Sequence, residues 1–241
     1  MFRLGLSLVI VFAGVQAVFG ESSYSSDDEI WEVSAFGGGS FLGNFQFPTP
    51  VFGKGQDGSQ TVGLDYATGY QVGVRLTENL NKFWAADLEY SFANQPLTFT
   101  NLSPNIQSLS LGQSVHHFSY NLAYVALPYV RRFRPYAKIG TGASLFHIHN
   151  DSKQEALERG LGFRDSWKFL VNWGGGFNYL VHDPVSVTFD VKDNMTGVPS
   201  YGLPSKARIV DGHFLPGLSR SGLMNNWQIN FGVTVQFYDW L

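Results

Sequence analysis

From Trp227 to Phe237 the chain reads WQINFGVTVQF, and its side chains alternate. Trp227, Ile229, Phe231, Val233, Val235 and Phe237 share one face, and Gln228, Asn230, Gly232, Thr234 and Gln236 share the other. Successive side chains of a β-strand point to opposite faces, so this period of two predicts a strand with one apolar and one polar face. The same split recurs along the chain. Tyr70, Val72, Val74 and Leu76 oppose Gln71, Gly73, Arg75 and Thr77; Trp84, Ala86, Leu88, Tyr90 and Phe92 oppose Ala85, Asp87, Glu89 and Ser91. Residues 118–124, 138–145, 169–179 and 185–192 repeat the pattern, and a weaker segment at 30–42 brings the predicted strands to eight. After Glu29 no convincing amphipathic helix is found.

The two faces identify the surroundings. A soluble sandwich turns large residues to a core and a charged, hydrated face to water. Here the polar face is rich in Gly, Ser and Asn with isolated charges, and the apolar face is bulky. A small membrane barrel requires both, because its outer wall meets lipid and its narrow interior takes small or polar side chains. Closure also removes the strand edges that lipid cannot satisfy. Connection lengths point the same way. Residues 77–82, 130–135 and 181–184 make short links, and 43–63, 94–115, 149–166 and 194–225 make long ones, in strict alternation. Outer-membrane barrels have short periplasmic turns and long external loops, and an even strand count places both ends in the periplasm. Aromatic girdles are expected near the short turns (Trp31, Phe83, Trp84, Tyr129, Phe133, Tyr136, Tyr179, Phe237, Tyr238, Trp240) and near the long loops (Phe41, Tyr66, Phe92, Phe118, Phe146, Trp167, Trp227).

Composition narrows the rest. Of 241 residues, 44% are hydrophobic, 16% aromatic and 15% charged, which excludes a disordered chain. Mean hydropathy of -0.06 excludes a helical multi-span protein. A net charge of -3 argues against nucleic-acid binding. With no cysteine, disulfide scaffolds, thiolate zinc sites, a Cys nucleophile and a lipidated N-terminal Cys are excluded. Residues 1–20 (MFRLGLSLVIVFAGVQAVFG) read as a secretory signal peptide, cut after Ala17 or Gly20, since the apolar run is short for a transmembrane anchor. Residues 21–29 form a short polar lead-in, and 30–241 form the barrel domain.

Four stretches, SAFGGGSF (34–41), RPYAKIGTGASLF (134–146), NWGGGFNYLVHDPVSVTFDVKDNMTG (172–197) and NWQINFGVTVQF (226–237), resemble the OmpA-like outer-membrane β-barrel domains. The resemblance implies an all-β, eight-stranded antiparallel up-and-down barrel, monomeric and set in the bacterial outer membrane. It also implies a terminal signal for the barrel-assembly machinery, which Asn230, Gly232, Val235 and Phe237 fit. Tyr238–Leu241 run past the usual terminal aromatic.

Candidate chemistry is sparse. The glycine runs 37–39 and 174–176 lack the Lys-Ser/Thr and helix of a phosphate loop, so they read as strand glycines. His147 and His149 could share a strand face, but no third metal ligand is marked. The His-x-Ser-Asn pattern of barrel deacylases is missing from DVKDNMTG, and Asp190, Lys192 and Asp193 have no nucleophile at a fixed offset. The inner face carries Glu32, Asp87, Glu89 and Asp190 against Arg75, Lys138 and Lys192, four acids to three bases. Unpaired charge would be costly there, so an interior ion-pair network that plugs the lumen is expected. Arg131, Arg132 and Arg134 read as a basic cluster at a periplasmic turn. Phe45, Phe47, Phe52, Phe99, Tyr201 and Phe214 lie in the long loops, either exposed for contact or folded over the barrel mouth. The reading is a non-enzymatic barrel with an envelope-structural or surface-interaction role and no cofactor. Its expected partners are outer-membrane lipids, the assembly machinery and a surface ligand. A small low-conductance channel and a lipid-modifying enzyme are the alternatives.

Overall fold

A computed structural model describes residues 31–53, 56–130, 132–219 and 221–237. The signal peptide and polar lead-in lie outside the described residues. In chain order the elements are β1 (Trp31–Leu42), β2 (Phe45–Gly53), β3 (Gln56–Tyr66), β4 (Gly69–Asn79), β5 (Trp84–Asn94), β6 (Leu97–Ser103), β7 (Ile106–Leu111) and β8 (Gln113–Val125). Then come β9 (Phe133–Ile148), α1 (Asn150–Glu158), β10 (Ser166–His182), β11 (Val185–Gly197), β12 (Ala207–Val210), β13 (His213–Leu215) and β14 (Leu223–Phe237).

Eight of the strands, β1-β4-β5-β8-β9-β10-β11-β14, close into an antiparallel barrel. Closure runs along the β1–β14 pair, from Trp31↔Phe237 to Leu42↔Asn226. These are the eight segments that the alternation predicts, with the predicted faces. Val72, Val74, Ile139, Phe169 and Phe231 point outward, and Phe169 keeps 69% of its surface exposed. Gln71, Arg75, Asp87, Glu89, Asn230 and Thr234 point inward and are buried. A belt of this size would carry a large unfavourable hydration free energy in water. Hydrocarbon removes that cost, and the closed ladder leaves no backbone group for lipid to satisfy. The belt therefore makes this a transmembrane barrel.

The long connections correct the sequence reading. Three of the four, 43–63, 94–115 and 194–225, contribute strands to a second sheet, ordered β13-β12-β2-β3-β6-β7, and the fourth, 149–166, carries α1. β2, β3, β6 and β7 continue β1, β4, β5 and β8 beyond the membrane belt, so half of the barrel wall rises as a cap. The polarity of the faces inverts on the way. From β7 into β8, one face reads Leu109, Leu111, Gln113, Val115, His117, Ser119 and Asn121, all buried. The opposite face begins with exposed Ser108 and Ser110 and passes to Phe118, Tyr120, Leu122 and Tyr124. Below the switch the chain is apolar outside and polar inside; above it, the reverse, as in a water-soluble sheet. The cap encloses an apolar core that includes Phe47, Val62, Leu64, Leu97, Phe99, Leu111, Phe146, Phe163 and Tyr201. Of the loop aromatics, Phe47, Phe99 and Tyr201 are thus interior, whereas Phe52 is 45% exposed.

Two further corrections follow from this inversion. Tyr66 and Phe146 belong to the cap core and not to a girdle. Tyr136 points into the lumen, on the same side of β9 as Lys138. The remaining described aromatics do cluster at the two rims, with Phe83 6.3 Å from Tyr124 at one and Trp173 5.5 Å from Trp227 at the other. The helix α1 departs from the helix-free reading of the sequence. Its sequence NDSKQEALE buries only Ala156, too little for an amphipathic signal.

Because Phe99 lies at the centre of the cap, Phe99→Ala should cost the cap about 3–5 kcal/mol. The expected outcome is faster proteolysis of the long connections with an unchanged heat-modifiable barrel on gel electrophoresis. Equal protease resistance would contradict a packed cap.

Candidate functional site

The lumen at mid-barrel is filled by charge. Arg75 on β4 faces Glu89 on β5 across the ladder. Its Nε donates to Glu89 Oε2 at 2.8 Å, and its Nη2 to Asp190 Oδ2 at 2.5 Å. Lys138 Nζ on β9 lies 3.0 Å from Glu89 Oε2 and 3.7 Å from Asp190 Oδ2. Lys192 Nζ donates to the other Glu89 oxygen, and Arg75 lies 4.0 Å from Asp87. Neutral groups complete the shell. Tyr136 donates its hydroxyl to Asp190 at 3.2 Å, Asn230 donates to Asp190 Oδ1 at 2.7 Å, and Asn121 donates to Asp87. Every charged member is 5% exposed or less. A buried charge is tolerated only when paired and hydrogen-bonded, and each of these is.

One apolar side chain belongs to this cluster, which the alternation did not single out. Phe36 on β1 points inward, with the Arg75 guanidinium 5.3 Å and the Lys192 ammonium 5.6 Å from its ring. Both cations meet the negative ring face. The ring fits because Gly73 and Gly232 flank it: a Cβ at Gly73 would fall 2.4 Å from the ring, and one at Gly232 2.8 Å from Phe36 Cβ.

A second pair closes the short-turn end. Arg134 Nη1 donates to Glu32 Oε1 at 3.0 Å, and Asn79 Nδ2 donates to the same oxygen at 3.0 Å. This corrects the turn cluster. Arg134 turns into the lumen, Arg132 is exposed, and Arg131 lies outside the described residues. The four acids and three bases read from the sequence become four and four, since Arg134 supplies the missing cation. The seven predicted residues therefore fall into two groups, with Glu32 apart from the other six. Between the groups is a cavity of about 30 Å³, room for a water.

Toward the cap the lining becomes neutral. Ser40 donates to Asn226 at 2.8 Å, Asn226 donates to His117 Nε2 at 3.1 Å, and His117 Nδ1 is 2.7 Å from Ser144. Above this layer Tyr66 and Tyr201 share a hydrogen bond of 2.9 Å inside the cap, and Tyr201 donates to Gln113. Burial pushes both phenols well above their usual range, so both stay protonated.

Other candidate chemistry is dispersed. Asp190 and Lys192 face the lumen, but Asp193 sits on the outer side, in register with Trp173 and Trp227 and bonded by Asn225 at 2.9 Å. His147 pairs with Asp165 at 2.9 Å, and its ring lies 6.3 Å from that of His149. Among the described residues no three His, Cys, Asp or Glu are grouped to hold a metal. Both glycine runs lie within strands, β1 and β10. Of the proposed assembly signal, Asn230 and Gly232 face inward, where Asp190 and Phe36 occupy them, while Val235 and Phe237 face outward. Residues 238–241 lie outside the described residues.

Arg75→Gln leaves Glu89 and Asp190 without their shared partner, so it should destabilise the barrel by about 3–5 kcal/mol in urea unfolding from lipid vesicles. Adding Asp190→Asn should restore part of that loss; an unchanged midpoint in the single variant would contradict the pairing. At the cap, burial raises the Asp165 carboxyl, but hydrogen bonds from Lys153 and His147 outweigh it and hold the group below its usual 3.8. Its anchoring of α1 is then complete above that value and lost as pH falls through the lower native one. Amide exchange across 150–158 should quicken in that acid window, and Asp165→Asn should abolish the change.

No known family model matches the sequence, and no curated protein does. Solved structures do match. The outer membrane protein OprG from Pseudomonas aeruginosa is 13% identical with a TM-score of 0.55, over 90% of this chain and 100% of that one. The outer membrane protein AlkL, determined in DMPC lipid bilayers, is 12% identical with a TM-score of 0.51, over 92% and 96%. At such identities the likeness is one of fold, and the fold of this chain is that of the eight-stranded outer-membrane β-barrels, as its resemblance to the OmpA-like domains implied.

Proposed function

We propose that this protein is a non-enzymatic, monomeric barrel of the bacterial outer membrane, sealed to solutes, whose rigid wall carries the cap into the external medium. The observation that carries this reading is the pair of seals in series. Six buried charges cross-link four barrel strands at mid-lumen, and an apolar core closes the mouth above them. An eight-stranded barrel is just wide enough for side chains to fill, so neither layer leaves a water column.

The orientation follows from the two rims. The ends of β1 and β14 at Trp31 and Phe237 lie together at the short-turn rim, which we place in the periplasm. The cap, polar outside, faces the external water. In this role the belt contacts outer-membrane lipid, the strand bearing Asn230, Gly232, Val235 and Phe237 is offered to the assembly machinery, and the cap is the surface for a ligand. Among the described residues the nearest approach to a catalytic array is Ser144, His117 and Asn226, but an amide and not a carboxylate contacts the imidazole, and all three side chains are buried, which is why an enzymatic reading is not preferred.

Planar-bilayer recording tests the seal. The protein should show at most rare, small openings, and neutralising Lys138 should not create steady current. Continuous porin-sized conductance would overturn the sealed reading in favour of a channel. Mass spectrometry of lipids from a deletion strain should find lipid A and phospholipid acyl chains unchanged; an altered acyl pattern would favour an enzyme.

A further inference from the structure

The short-turn rim is not uniform around the barrel. The β4–β5 and β8–β9 turns lie side by side, tied by the Val125 N–H, which donates to the Phe83 carbonyl at 2.7 Å. The first turn is held in shape by Asn81, whose side-chain oxygen accepts the N–H groups of Phe83 at 2.9 Å and Trp84 at 3.0 Å. Lys82 therefore stands at its tip. The Lys82 Nζ lies 5.9 Å from the centre of the Tyr129 ring in the second turn, within reach of its negative face. Tyr129 meets Phe83 edge-on at 6.2 Å, Phe83 stacks on Tyr124 at 6.3 Å, and Tyr124 meets Trp84 at 5.2 Å. Four rings thus form one series from the barrel wall out to the turn, with an ammonium at its end.

This sector exposes more apolar surface than a hydrated turn would. Tyr129 keeps 76% of its surface exposed, and Leu127 and Val130 beside it are exposed too. In open water that surface is costly, whereas at headgroup level it is covered, which is where amphipathic rings settle. Tyr124 and Phe83 belong to the lipid-facing wall as well, so the lipid that covers the belt runs on over the turn. Charge then selects among lipids. The 181–184 turn carries Asp183 and no Lys or Arg. The exposed Lys and Arg described at this rim, Lys82 and Arg132, are both on the two neighbouring turns. Neither is in an ion pair with a described residue. Passing outward, apolar rings come first and cations after them, the order of acyl chain, glycerol and phosphate in a phospholipid. A zwitterionic headgroup brings its own ammonium against these cations; an anionic headgroup brings only attraction. Each cation near anionic lipid favours it by about fivefold.

We propose that this sector binds an anionic phospholipid of the periplasmic leaflet, with the rings against its glycerol and upper acyl chains and with Lys82 and Arg132 toward its phosphate. The proposal deepens the reading above, that this rim faces the periplasm and the belt contacts outer-membrane lipid, and rests on it. The test uses the protein in nanodiscs of phosphatidylcholine and phosphatidylglycerol in equal parts. Native mass spectrometry after release reads the lipid retained, and amide NMR reads the place. Retention should favour phosphatidylglycerol by about twentyfold, and raising its fraction should shift the amides of Lys82, Phe83 and Tyr129. Lys82→Gln and Arg132→Gln should each lower the preference by about fivefold. Tyr129→Ala should weaken it too, and Tyr129→Phe, which keeps the ring, should not. Lys206→Gln on the cap, which removes a cation elsewhere, should leave it unchanged. Equal retention of the two lipids, or a preference that survives the Lys82→Gln/Arg132→Gln double variant, would overturn the proposal. So would shifts of these amides by an acidic cell-wall peptide fragment with none from phosphatidylglycerol. Heat-modifiability and conductance of the same samples report on the sealed barrel separately, so failure here is distinguishable from failure of that reading.

Discussion

Hydrocarbon cannot hydrogen-bond, and every level of this molecule answers to that. A strand in lipid must have both edges paired, which forces closure. A closed wall in lipid must be apolar outside, which sends the polar half of each alternating strand inward. With eight strands the inward half is nearly filled by side chains, so the charges there must be paired and hydrogen-bonded. The charge cluster at Arg75, Glu89 and Asp190 is the consequence of this chain of constraints. A buried cluster of this kind contributes little net stability over an apolar filling, but removing any one partner is expensive. It therefore acts to fix which side chains occupy the lumen, and in the function proposed here it also excludes solutes.

The same physics, applied where the solvent changes, explains the cap. Above the lipid the outside must be wettable, and the inside is free to be greasy. The strands continue across the boundary with their faces exchanged, as Ser119–Leu122 and Ser108–Leu111 illustrate on β8 and β7.

The barrel was legible because lipid imposes the same alternation on all eight strands, and Trp227–Phe237 shows it without interruption. The inner residues Arg75, Asp87, Glu89, Lys138, Asp190 and Lys192 followed from parity alone. What parity missed has physical causes. Phe36 is apolar on a polar face, and its place depends on Gly73 and Gly232, two residues on other strands. Arg134 is adjacent to a turn, so local sequence assigned it to the surface, whereas its partner Glu32 is over a hundred residues away, on a strand that does not neighbour its own. The cap was hidden by a change of phase. LTFT at 97–100 and SLSL at 108–111 alternate as clearly as any barrel strand, but they are short and isolated between Pro, Gly and Asn. Read with water outside in place of lipid, they would have signalled strands with a covered inner face. α1 gave no signal because one buried Ala does not make an apolar stripe.

The central claim is that a single continuous wall exchanges its inner and outer polarity where it leaves the membrane. With no cysteine in the chain, single cysteines for spin labels can be placed at will. Labels at Ser108, Ser110, Phe118, Tyr120 and Leu122, all on one outward face, should divide sharply in a bilayer. The account predicts that the first two collide with a water-soluble nickel complex and the last three with lipid-dissolved oxygen. Nickel accessibility that is uniform from 108 to 122 would contradict it.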